Sequence, residues 1–323
     1  MFLLILRQKH SIMSYGLSDI SVSRTKLPEE LEIYKELGKG SNNKVFAASY
    51  RGENVVFRVP RHRSDTQQNG NAQWEYKHMC MASEWNVGPK IHTAWYARHA
   101  TREWPSGLYV IMERLDYDME KALCEDRDII PEMLRCKDSV EAEVVRCFET
   151  LAQNHLFVYD LKPSNMVIRF HEEDNGVDVR VIDFGRDFCE CNVPHPTQSS
   201  PNIDMLRRRI TTEDGDVSRI DERISHILFI VMMIIFSATT TRCLYEDRGH
   251  HRMSKSERSN AHPTCCRVQE LLTTLCARDM VLVRELMRMD EVRGVLRHYH
   301  TRRNSGTGRT IRFACGIENG RDV

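Results

Sequence analysis

The chain has 323 residues, 41% of them hydrophobic and 28% charged, enough apolar side chain to bury a sizeable core in one large domain or two lobes. Lysine plus arginine and aspartate plus glutamate both number 46, so net charge is zero and bulk electrostatics gives no argument for a nucleic-acid or membrane partner. The 11 cysteines are odd in number and scattered, which points to reduced thiols in an intracellular, cytoplasmic setting and not to a disulfide framework.

The opening Met1–Leu6 is apolar but too short for a signal-peptide core, and its charges follow it. Met13 is an alternative start, and residues 1–30 read as an N-terminal extension. From Leu31 to Val59 the pattern predicts strands over 32–37, 45–50 and 54–59, with a tight turn at Arg51-Gly52-Glu53-Asn54. A helix is expected over 72–85, closed by Val87-Gly88-Pro89, and two more strands over 91–96 and 108–113. Beyond Asp118 the character changes. A helix over 144–156 leads to two short strands, 165–170 and 177–182, around the polar turn His171–Gly176. Helices dominate thereafter, chiefly 221–240 and 267–289, while the polar tracts 192–203, 245–262 and 301–323 read as loops. The apolar run Ile227–Phe236 falls short of the roughly 20 residues that span a bilayer, so it is expected as a buried core helix. A strand-rich first part and a helical second part imply an α+β chain of two lobes.

Two constellations carry chemistry. Leu37-Gly38-Lys39-Gly40-Ser41-Asn42-Asn43-Lys44-Val45 lies between two predicted strands, and a glycine-rich hairpin lets backbone amides approach phosphates without a Cβ in the way. Gly-x-Gly in a hairpin also serves as a plain turn. The second constellation is Tyr159-Asp160-Leu161-Lys162-Pro163-Ser164-Asn165, followed by Val181-Ile182-Asp183-Phe184-Gly185. Phosphoryl transfer needs an acceptor to orient a hydroxyl nucleophile, a role open to Asp160, and a cation for the transferring group, open to Lys162. Asn165 and Asp183 add two hard oxygen ligands of the kind magnesium takes.

These segments resemble the catalytic loop and Asp-Phe-Gly motif of eukaryotic-type Ser/Thr protein kinases, and the likeness runs from about Leu31 to about His300. The resemblance implies a bilobal protein-kinase-like fold over 31–300, with a small antiparallel β-sheet lobe (31–114) and a larger, mainly helical lobe (115–300), followed by a basic tail, 301–323. It implies ATP and Mg2+ as cofactors and a protein hydroxyl as acceptor. Asp160 and Lys162 become the catalytic residues, and Asn165 and Asp183 the metal ligands. Leu37, Gly38, Gly40 and Ser41 would cover the phosphates, and Val45, Val56 and Val167 would sandwich the base. Met112 stands at the gatekeeper position, with backbone groups of Glu113 and Leu115 meeting adenine. Arg58 takes the place of the phosphate-holding lysine, with Glu75 as its helix partner and Glu84 as the rival. A strand arginine reaching solvent and a solvated Glu75 are the competing readings. Asp221 matches an aspartate that braces the catalytic loop.

There are departures. Asn43 replaces the third glycine of the loop, and arginine for lysine at 58 is not conservative. Val158 and Tyr159 replace the usual His-Arg pair, and no Ala-Pro-Glu closes the activation segment. A pseudokinase that binds nucleotide or a partner without turnover, or a choline- or aminoglycoside-type kinase, are therefore the alternatives. Lys162 favours the protein kinase. The Ile182–Cys189 segment looks like kinase-like proteins of large DNA viruses, which would place the chain in host cytoplasm. Cys189, Cys191 and His195 are short of a closed four-ligand zinc site and read as free thiols beside a loop.

Overall fold

The computed structural model describes residues 21–22, 27–40, 43–61, 66–97, 104–124, 128–158, 161–184, 189–190, 222, 225–234 and 236. The expected helix over 267–289, Asp221, the three polar tracts and the Cys191–His195 pair lie outside the described residues. The protein is α+β, with a largely antiparallel sheet and a set of helices. It divides into two compact units: the chain up to Gln73 with Ile91–Met112, and Trp74–Lys90 with the chain from Glu113 onward.

The first unit is built on a six-stranded sheet of β1 (Ser21–Val22), β2 (Leu31–Lys39), β3 (Asn43–Tyr50), β4 (Glu53–Pro60), β5 (Ile91–Ala97) and β6 (Gly107–Glu113), in the order β1-β5-β6-β4-β3-β2. Two residues of the expected N-terminal extension therefore enter the sheet, as β1 pairs in parallel with Trp95 and Tyr96 of β5. Arg51 and Gly52 turn the β3–β4 hairpin with φ of 54° and 82°. That mirror-image turn matches the twist of the strands, and glycine adopts its second position without strain. Alternation along the strands sends Val55, Phe57 and Val59 to one face, where they pack with Trp95, Tyr109 and Ile111. Phe57 stacks on Trp95 at 5.9 Å and Trp95 on Tyr109 at 5.4 Å. Each such ring removes roughly 150–250 Å² from water, so this aromatic stack dominates the unit's cohesion.

Helix α1 (Thr66–Glu84) begins six residues before its expected start at Ala72, because its first turns are polar and contain Gly70, leaving no apolar period to read. It ends as the sequence implied. Asn86 takes a left-handed φ of 57°, and the amides of Val87 and Gly88 both donate to the Ala82 carbonyl. A Cβ at Gly88 would stand 2.9 Å from the Ala82 Cβ, so only glycine fits the close return of the chain.

In the second unit a three-stranded sheet, β7 (Tyr117–Asp118), β9 (Met166–Phe170) and β10 (Val177–Val181), runs in the order β10-β9-β7. Short helices α2 (Met119–Cys124) and α3 (Ile130–Arg135) follow β7; neither was expected, since six residues are too few for periodicity to show. The longer α4 (Lys137–Gln153) starts seven residues ahead of the expected Val144 and buries Val140, Val144, Cys147, Phe148 and Leu151. It packs against β10, where Val177, Val179 and Val181 are buried. The expected apolar helix is helical over 225–234 and buried throughout Ile227–Ile234, and Phe236 meets Phe148 edge-on at 5.3 Å. Strand β8 (Phe157–Val158) pairs with β11 (Cys189–Glu190), and Val158, standing where the kinase pattern has histidine, is fully buried. Among the described residues no helix is long and apolar enough to cross a membrane.

Candidate active site

In the first unit the strand register decides which residues share the second face of the sheet. Val45 pairs with Arg58 and Ala47 with Val56, so Val45, Val56 and Arg58 point opposite to the aromatic core, as does Met112 at the end of β6. Val45 and Val56 are half-buried and Met112 is buried. Arg58 is only 8% exposed, which excludes a strand arginine reaching solvent. A guanidinium in that position is costly unless charge or hydrogen bonds compensate it, and it does have an interaction partner.

The glycine turn joins β2 to β3. Gly38 pairs with Val45, the Gly40 amide donates to the Asn43 carbonyl at 2.9 Å, and Arg61 Nη1 donates to the Gly40 carbonyl at 3.1 Å. Neither glycine has a positive φ. Among the described residues, a Cβ at Gly38 would meet nothing within 4 Å, and one at Gly40 only the Asn43 carbonyl oxygen at 3.8 Å. Neither backbone conformation nor packing among the described residues accounts for the two glycines. Leu37 beside it is exposed, and Ser41 lies outside the described residues.

On α1, Glu75 is half-buried and has a partner, whereas Glu84 is the exposed last residue of the helix. One turn beyond Glu75, His78 is fully buried, 4.6 Å edge-on from Trp74. Burial, reinforced by the Lys77 charge and opposed by the Trp74 backbone, lowers its pKa to about 4, so the ring is neutral at physiological pH.

The second unit assembles the other residues around the β9–β10 hairpin. A single 3-10 turn, Pro163–Asn165, is closed by the Asn165 amide donating to the Lys162 carbonyl at 2.9 Å. Leu161 and Pro163 are buried, which anchors the turn, and Lys162 is half-buried. Met166 pairs with Val181, so the next step out of the hairpin sets Asn165 beside Ile182, whose amide donates to the Asn165 carbonyl at 2.8 Å. Asp183 follows immediately. Its φ of 67° is a strained value for a non-glycine residue, and Asp183 is exposed while Phe184 is buried at 1% exposure. Asn165 itself is 6% exposed and Val167 half-buried. Tyr159, Asp160 and Gly185 lie outside the described residues.

An amide oxygen and a carboxylate fit magnesium, which keeps several waters and takes few protein ligands beside substrate phosphates. Among the described residues no group of three or more His, Cys, Asp or Glu side chains could hold a metal ion.

The segment Glu113–Asp116 is held more firmly than its sequence suggests. The Glu113 amide donates to the Lys90 carbonyl at 2.8 Å, and the Lys90 amide donates back to the Glu113 carboxylate at 3.1 Å. Arg169 on β9 donates to the same carboxylate at 3.0 Å and to the Arg114 carbonyl. The Asp116 amide donates to the Ile168 carbonyl at 3.1 Å. Leu115 is buried between these anchors in sequence. Asp178 lies 3.7 Å from Arg169 and also meets His171 and Arg180; burial pushes its pKa up, but those partners outweigh it and hold the carboxyl below the usual range. Sequence reasoning missed Arg169, because nothing local in an Ile-Arg-Phe strand announces a partner 56 residues away.

The chain matches no protein-family model and no curated protein.

Proposed function

We propose that the protein is an ATP-dependent phosphotransferase of bilobal protein-kinase type, moving the γ-phosphoryl group of Mg-ATP to a serine or threonine hydroxyl of a protein. The supporting observation is the join of Asn165 to Ile182 at the open end of the β9–β10 hairpin, with the exposed Asp183 next in sequence at a positive φ. That arrangement gives both expected metal ligands one rigid base, 18 residues apart in sequence. The glycine turn at Gly38 and Gly40 and the apolar face of Val45, Val56 and Met112 support a nucleotide as ligand.

In this reading Asp160 accepts the proton of the substrate hydroxyl as its oxygen forms the new P–O bond. The bond from the γ-phosphorus to the bridging oxygen breaks, and ADP leaves with the electron pair. Lys162 offsets charge on the transferring group. Asn165 and Asp183 would hold magnesium, which neutralises phosphate charge. Arg58 would reach the phosphates as a planar, permanently charged group. Nucleotide binding without turnover is the second reading, favoured by the buried arginine at a lysine position.

The purified chain is incubated with labelled ATP, magnesium and a generic protein substrate, beside Asp160→Ala and Asp183→Ala. Transfer falling by at least about a hundredfold in each variant is expected, the range for loss of a catalytic proton acceptor. No transfer above the variants, with ATP binding intact, refutes the kinase reading in favour of the second.

A further inference from the structure

We infer that Arg169 is a positioning residue for the nucleotide base, an inference that rests on the kinase reading. The segment expected to meet adenine starts at Glu113, the last residue of β6, and its Arg114 and Leu115 have no regular structure before β7. Backbone in such a stretch keeps one geometry only if something outside it supplies the hydrogen bonds. Arg169 supplies them with both arms of its guanidinium: one nitrogen on the Glu113 carboxylate at 3.0 Å, the other on the Arg114 carbonyl. The second Glu113 oxygen receives the Lys90 amide, so the carboxylate is bracketed from two directions. The Asp116 amide on Ile168 closes the far end.

The consequence follows from where Arg169 sits. It belongs to β9, the strand that begins directly after Asn165 and carries Val167, the expected floor under the base. The fork therefore ties the base-reading backbone to the same strand that carries the expected base floor and adjoins a metal ligand. Asp178, across the hairpin from Arg169 in the register and 3.7 Å from its guanidinium, flanks the fork and is itself paired with His171 and Arg180. A lysine keeps the charge but cannot span a carboxylate and a carbonyl at once.

The wild-type chain, Arg169→Lys and Arg169→Met are titrated with adenosine and, separately, with inorganic tripolyphosphate. Adenosine affinity is expected to fall about tenfold or more in both variants, while tripolyphosphate affinity stays within about twofold. A purely structural role would weaken both ligands together, and that result overturns the inference. Adenosine affinity within about twofold of wild type in both variants overturns it as well. If the wild-type chain binds no adenosine, the kinase reading itself fails, and the inference falls with it.

Discussion

Acid should destabilise this protein through one identifiable side chain. His78 is fully buried, and its pKa drops from 6.5 to about 4 in the folded chain. Above pH 6.5 the ring is neutral whether folded or unfolded, and it adds no pH dependence. Below that value the unfolded chain takes up a proton that the folded chain refuses until about pH 4, so stability is lost as pH falls through this window. The full difference corresponds to about 3 kcal/mol, of which about 2 kcal/mol is lost between pH 7.5 and 5. Urea unfolding of wild type and His78→Met at those two pH values isolates the effect, because every other titrating group is common to both proteins. Wild type should lose about 2 kcal/mol more than the variant on acidification. Equal losses would mean that His78 is already charged or solvated in the folded state, and would refute the reasoning.

Two glycines make opposite predictions. Gly38→Ala adds a Cβ that meets no atom of the described residues within 4 Å, so stability in urea unfolding should change by no more than about 0.5 kcal/mol while ATP affinity drops about tenfold; unchanged affinity in a titration would mean that no phosphate lies over the turn. Gly88→Val forces a branched side chain against Ala82, 2.9 Å from its Cβ, and should cost about 1–3 kcal/mol in the same unfolding assay, whatever nucleotide is present.

How much could be read in advance depended on the range of each interaction. The β3–β4 hairpin was legible because both of its signals are local: alternating residues in Asn54–Val59 and a turn whose Gly52 takes a positive φ without strain. The α1 terminus at Asn86–Pro89 and the buried helix around Ile227–Ile234 were legible for the same reason. The polar opening of α1 and the six-residue helices α2 and α3 carry no period, and their helicity comes from context. Of the candidate site, residue types and motif order are plain in the sequence. The burial of Arg58 is not, since an arginine in a strand faces solvent or core according to the register of its neighbours.

The sequence by itself therefore determined the strand-then-helix order, the turns, and the two segments whose residue types suit phosphoryl transfer. Only tertiary structure decided that Asn165 and Ile182 share a hydrogen bond, that Asp183 takes a positive φ, and that Arg169 grips Glu113 and Arg114. The physical reason is separation along the chain. Periodicity and turn chemistry act over a few residues, whereas these contacts join positions 17 to 56 residues apart and exist only once the β9–β10 pairing register and the burial around it are set.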